Sequence, residues 1–143
     1  MRTVVIDTNC LVQMISKRSP YRPAWDAFLQ GHYQLCISNA IISEYLEIIT
    51  AVSRADVAEH IVNAILESPY TLRIDPKFHF NLIQQDKDDN KFVDCAIIAG
   101  ADYIVSEDAH FHVLKAISFP HVHVISLDSF IKDIEKNLSH HKS

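Results

Sequence analysis

The sequence predicts an α/β protein: one parallel sheet of about five strands with helices on both faces. Three observations predict it. Short β-branched runs alternate with stretches of helical period along almost the whole chain. The first run, VVI, is apolar without alternation, as expected of a strand covered on both faces. Polar or acidic residues follow most of the runs directly, as at the carboxyl edge of an open sheet where ligand sites form.

In order, TVVIDT (residues 3–8) reads as the first and central strand, followed by a short helix around LVQMIS. RPAWDAFLQG carries Trp25, Phe28 and Leu29 at helical spacing, opens after Pro23 and closes on Gly31. YQLCIS is the second strand. NAIISEYLEIITAV (39–52) and ADVAEHIVNAILES form a helix pair broken at Ser53 and Arg54. Pro69 ends that region, TLRIDP is a third strand, and the polar loop FNLIQQDKDDN leads to the helix KFVDCAIIAG, closed by Gly100. DYIVSED is the fourth strand and HFHVLKAIS a short helix. After Pro120 come the strand HVHVISL and a last helix, DSFIKDIEKNL, which Asp128 is expected to cap.

The 143 residues suffice for a single domain, expected over residues 1–143, with a core that needs no disulfide or structural metal. Cys10, Cys36 and Cys95 are odd in number and lack C-x-x-C spacing, so they read as reduced core residues. The opening MRTVVIDTN runs straight into a strand, and no apolar stretch reaches the roughly 18 residues of a membrane span. A soluble, cytoplasmic chain with no membrane partner is the expectation. Thirteen Lys and Arg against eighteen Asp and Glu leave a net charge of −5. That balance disfavours a module that grips nucleic acid by phosphate contacts alone. It is compatible with a site in which carboxylates hold a divalent cation and the cation accepts a phosphate oxygen.

Four acids are the candidates for such a site: Asp7 in TVVIDTN, Glu44 in SNAIISEYLEII, Asp94 in DDNKFVDCAIIAG and Asp108 in DYIVSED. Far apart in sequence, they lie at or within a turn or two of the carboxyl ends of strands, where the fold would bring them together. Clustered carboxylates repel one another unless cations sit between them, which points to Mg²⁺ or Mn²⁺. Asp94 stands on an otherwise apolar helix, Glu44 shares its helix with Glu47, and Ser106 points to the same side of its strand as Asp108. Asp86, Asp88 and Asp89 read as a solvated loop, with Asp89 or Asn90 capping the next helix; there is no EF-hand pattern. His110-x-His112 and His121-x-His123 are expected to take no part. With two glycines in all, phosphate-cradling loops and nucleophile elbows are missing.

VVIDTNCLV, SEYLEII and DDNKFVDCAIIAGADYIVSED with the following HF resemble the PIN-domain ribonucleases, especially the VapC-like toxins, over nearly the whole chain. The resemblance implies a three-layer α/β/α sandwich and an Mg²⁺- or Mn²⁺-dependent endoribonuclease. Asp7, Glu44, Asp94 and Asp108 are then the metal ligands, and Asn9 and Ser106 the polar helpers. It also implies RNA as substrate and admits an antitoxin protein or a second copy of the chain as partner. Two departures stand out. Glu107 is an extra acid beside Asp108, and the DKDDN loop leaves the third ligand open between Asp89 and Asp94. Lys17, Arg18, Arg22 and Lys91 are candidate phosphate contacts. Two rival readings are a catalytically silent interaction module and, because Asp7 ends a first strand, an aspartyl-nucleophile phosphatase. The latter lacks its second Asp, as the chain reads Asp7-Thr8-Asn9.

Overall fold

A computed structural model describes residues 1–75, 77, 79–83, 89–117 and 120–141. The elements are β1 (Arg2–Ile6), α1 (Thr8–Ile15), α2 (Arg22–Leu29), β2 (Tyr33–Ile37), α3 (Asn39–Val52), α4 (Ala55–Glu67), β3 (Thr71–Arg73), α5 (Asn90–Ala99), β4 (Tyr103–Val105), a 3₁₀ segment (Ala109–Ala116), β5 (Val124–Ile125) and α6 (Leu127–His141). The five strands make one parallel sheet in the order β3-β2-β1-β4-β5. β1 is central, as its apolar run requires: Val4, Val5 and Ile6 are fully buried.

Register explains the layers. Val4 lies beside Leu35 on one side and Tyr103 on the other, so these side chains share a face. On that face Trp25, Phe28, Tyr33, Phe130 and Tyr103 form an aromatic chain, each ring 5.0–6.0 Å from the next, which binds α2 and α6 to the sheet. The alternate residues face α5, where Cys36 of β2 meets Cys95; all three cysteines are buried and reduced, as expected. Helices α3 and α4, separated at Ser53 and Arg54, pack against each other.

Several elements are shorter than their sequence patterns. β1 stops at Ile6, because Asp7 becomes the N-cap of α1 and Thr8 its first residue. β3 and β5, at the edges, keep only three and two residues. β5 pairs with β4, which is itself only three residues long, so most of HVHVISL has no ladder to join. Helices α2 and α5 close on Gly31 and Gly100, whose φ angles of 79° and 63° suit glycine. At Gly31 a Cβ would also meet the Tyr70 ring at 2.3 Å.

Asp128 does not cap α6, which begins one residue earlier, at Leu127. The orphan N–H groups are met instead by Ser126, whose Oγ accepts from the Ser129 backbone at 3.1 Å, and by Glu107, which accepts from Leu127 at 2.8 Å. Asp128 accepts from the Tyr21 hydroxyl at 3.0 Å. Among the described residues no helix is long and apolar enough to cross a membrane.

Candidate active site

From β1 the chain moves outward through β2 to β3, then returns across the sheet by α5 to β4 on the other flank of β1. The connections leaving β1 and β4 therefore diverge and open a crevice at the carboxyl ends of these two strands. Asp7 and the Ser106–Asp108 segment stand at its two lips. The Asp7 backbone N–H donates to Val105 at 3.0 Å and closes the ladder. The residue is 5 % exposed, and its side chain accepts from Ser106 Oγ at 2.9 Å. That hydroxyl oxygen in turn accepts from the Asp108 backbone N–H at 3.0 Å, so one serine fixes both lips.

Glu44 arrives from the β2 side. Ser38 caps α3, its Oγ accepting from Ile41 at 3.3 Å, and the buried Tyr45 hydroxyl donates to the Ile6 carbonyl at 2.5 Å. The latter bond pins α3 to the last residue of β1, which brings Glu44 to the start of α1. One Glu44 oxygen accepts from the Thr8 hydroxyl, and the other lies 2.7 Å from Lys91 Nζ.

The same convergence sets the electrostatics of Asp7. Burial pushes the Asp7 carboxyl above its ordinary value, and the charges of Asp108 and Glu44 push it further; hydrogen bonds from Ser106 and the Thr8 backbone pull the other way. Burial, with Asp7 and Glu107 nearby, likewise drives the Cys10 thiol up to about 12, which leaves it inert.

Of the two adjacent acids at the end of β4, Asp108 is the one in the crevice. Its Oδ1 accepts from the His110 backbone at 2.9 Å and caps the 3₁₀ segment, whereas Glu107 is turned to α6. His110 Nδ1 lies 3.3 Å from Asp89 Oδ2 and 3.4 Å from Asp108 Oδ1. Ligand atoms of Asp89, Asp108 and His110 all fall within 4.8 Å of one another, a spacing that fits one divalent ion. His110 is not expected here from the sequence alone, since histidines two apart on a short helix diverge. They do diverge here, and His110 is the one that turns to the acids, while His112 lines a neighbouring pocket with Lys115.

Asp94 has a different setting. It is 3 % exposed; its Oδ1 accepts from the Phe80 backbone at 3.0 Å and its Oδ2 lies 3.1 Å from His79 Nδ1. One turn earlier on the same helix face, Asn90 exchanges two hydrogen bonds with the Ile83 backbone, at 2.9 and 2.7 Å. Together they clamp residues 79–83 across the start of α5. This also corrects the expected capping of α5: Asp89 holds the cap position without a side-chain capping bond, and the Asn90 side chain goes to Ile83. Asp86 and Asp88 lie outside the described residues.

Asn9 is exposed in the first turn of α1, its carbonyl accepting from Gln13 at 3.4 Å. Lys17 and Arg18 are exposed beyond α1. Arg22 is committed to structure, donating to the Ile15 carbonyl at 2.6 Å and pairing with Asp26 at 3.2 Å.

The family model described as PIN domain matches residues 3–110, a span from β1 to His110 that contains Asp7, Glu44, Asp89, Asp94, Glu107 and Asp108. No curated protein matches the chain.

Proposed function

The chain belongs to the PIN-domain family, whose members are generally nucleases that use divalent metals, and from that premise we propose that it is an Mg²⁺- or Mn²⁺-dependent endoribonuclease, the toxin of a VapC-like toxin–antitoxin pair. The observation that carries the catalytic part is the convergence of Asp7, Asp108 and Glu44 at the switch point, with Asp89 and His110 beside Asp108. The donor set suits a hard divalent ion: carboxylate oxygens at ligand spacing, with one imidazole nitrogen. Asp108 and Asp89 would hold it, with Asp7 joined to Asp108 through Ser106. In this reading Asp89 takes the third place, which the sequence leaves open between Asp89 and Asp94. When bound, the ion supplies a Lewis acid that makes water acidic and neutralises phosphate charge.

The residues do the rest. Ser106 holds Asp7 and the Asp108 turn at a set separation, so the carboxylates need no reorganisation when an RNA phosphate enters. Asp7, made reluctant to ionise by burial, favours any state that brings it positive charge. Lys17 and Arg18, exposed beyond α1, are candidate contacts for phosphates of the flanking chain. Residues 1–143 act as one domain, and an antitoxin or a second copy of the chain would be the protein partner.

The test is cleavage of mixed RNAs by the purified protein. EDTA should abolish it, and Mg²⁺ or Mn²⁺ should restore it. Cleavage that persists under full chelation would sink the reading. A related expectation follows from the imidazole: His110→Ala should weaken Mn²⁺ binding by roughly 10–100-fold, and Mg²⁺ binding less, because nitrogen donors favour the transition metal. Calorimetric titration of both ions measures this, and unchanged affinity for both would remove His110 from the site.

A further inference from the structure

Lys91 stands against Glu44, the acid that reaches the crevice from the β2 side. It opens α5 one residue after Asn90, whose bonds to Ile83 set that turn in place. Its ammonium lies 2.7 Å from Glu44 Oε1 and 5.6 Å from the centre of the buried Phe92 ring, within cation–π range. Both partners are shielded: the Lys91 side chain is 19 % exposed and that of Glu44 24 %. The other Glu44 oxygen takes the Thr8 hydroxyl, so the chain itself engages both oxygens of this acid. Asp7 accepts from the Ser106 hydroxyl, and His110 lies against both Asp108 and Asp89.

We propose that Lys91 is the resident cation at Glu44, so that the acid cluster takes a single divalent ion, on the Asp89–Asp108 side, and not a pair. This rests on the metal-site reading above and specifies it. An ammonium held in a shielded pocket opposes entry of a divalent ion beside it, since the repulsion is poorly screened there. It also offsets the negative charge of Glu44 that a second ion would otherwise offset. Unlike an exchangeable ion, it stays in place when metal is scarce. A lysine is a point charge on a flexible stem, suited to replacing an ion in this way.

The experiment counts Mn²⁺ ions bound per chain, from the loss of the free-ion paramagnetic resonance signal, in the absence of RNA. The unaltered protein should bind one. Lys91→Met and Lys91→Gln, the second included in case the first does not fold, should each admit a second ion, with at least a tenfold gain in its affinity. Lys91→Arg, which keeps the charge, should remain at one. Lys91→Met combined with Glu44→Gln should return to one, because the vacated acid is then gone. Two tightly bound ions in the unaltered protein, or a single ion in both folded neutral variants, overturns the proposal while leaving the metal site standing. No bound ion in the unaltered protein overturns both.

Discussion

Asp7→Asn should lower metal-dependent cleavage by at least about 100-fold and at the same time raise the melting temperature of the metal-free protein. The activity side follows from position: outer-shell partners of metal ligands typically account for 10–100-fold, and Asp7, joined to Asp108 through Ser106, also adds its own charge to the site. The stability side follows from sign. Burial, reinforced by Asp108 and Glu44, holds the folded-state pKa of Asp7 above the ordinary 3.8. The stability associated with neutral Asp7 is present below the unfolded-state pKa and is lost as pH rises through the folded-state pKa. Asparagine cannot ionise and keeps an oxygen for the Ser106 hydroxyl. The variant's advantage should therefore be small in acid, grow as pH rises through the carboxylate range, and shrink when Mg²⁺ is added. Thermal melts at several pH values, with and without metal, measure it. A less stable variant at neutral pH without metal would mean that Asp7 is held by contacts that require its charge.

Asp94→Ala should destabilise the fold by about 1–3 kcal/mol, the usual cost of leaving a buried polar group without its partner. The group is the Phe80 backbone N–H, which donates to Asp94 at 3.0 Å, and His79 loses its contact as well. Asp94→Asn keeps an acceptor for Phe80 and should lose less, with cleavage retained within about tenfold. Denaturant unfolding and the cleavage assay together decide the matter. A folded but inactive Asp94→Asn protein would make Asp94 a metal ligand, as its place in the sequence motif suggests, and the hold on residues 79–83 would be secondary.

Much of the fold was legible because it depends on periodicity. The uninterrupted VVI run marked the central strand, the alternation of elements implied a parallel sheet, and Gly31 and Gly100 marked helix ends that need positive φ. The acids at the ends of β1 and β4 were legible as well, since strand order at a switch point brings those two ends together whatever lies between. Element lengths were less so, because a strand lasts only as long as its neighbour: HVHVISL has the pattern of seven residues and pairs over two.

What the sequence by itself determined is which residue types stand at the crevice and which faces of the elements are apolar. What only the tertiary structure decided is where each polar side chain goes. Glu107 and Asp108 are adjacent acids at the end of one strand, yet one completes the N-terminus of α6 and the other meets Asp89 and His110. Asp89 and Asp94 sit five positions apart, yet the second is occupied by a segment that returns over α5 from the far edge of the sheet. Arg22 resembles a phosphate contact until the carbonyl of Ile15 is found beneath it. Periodicity specifies the face a side chain occupies, through bonds between neighbours in the chain. Its partner is set by packing between elements tens of residues apart, where a buried donor or acceptor must take whichever complementary group the fold delivers.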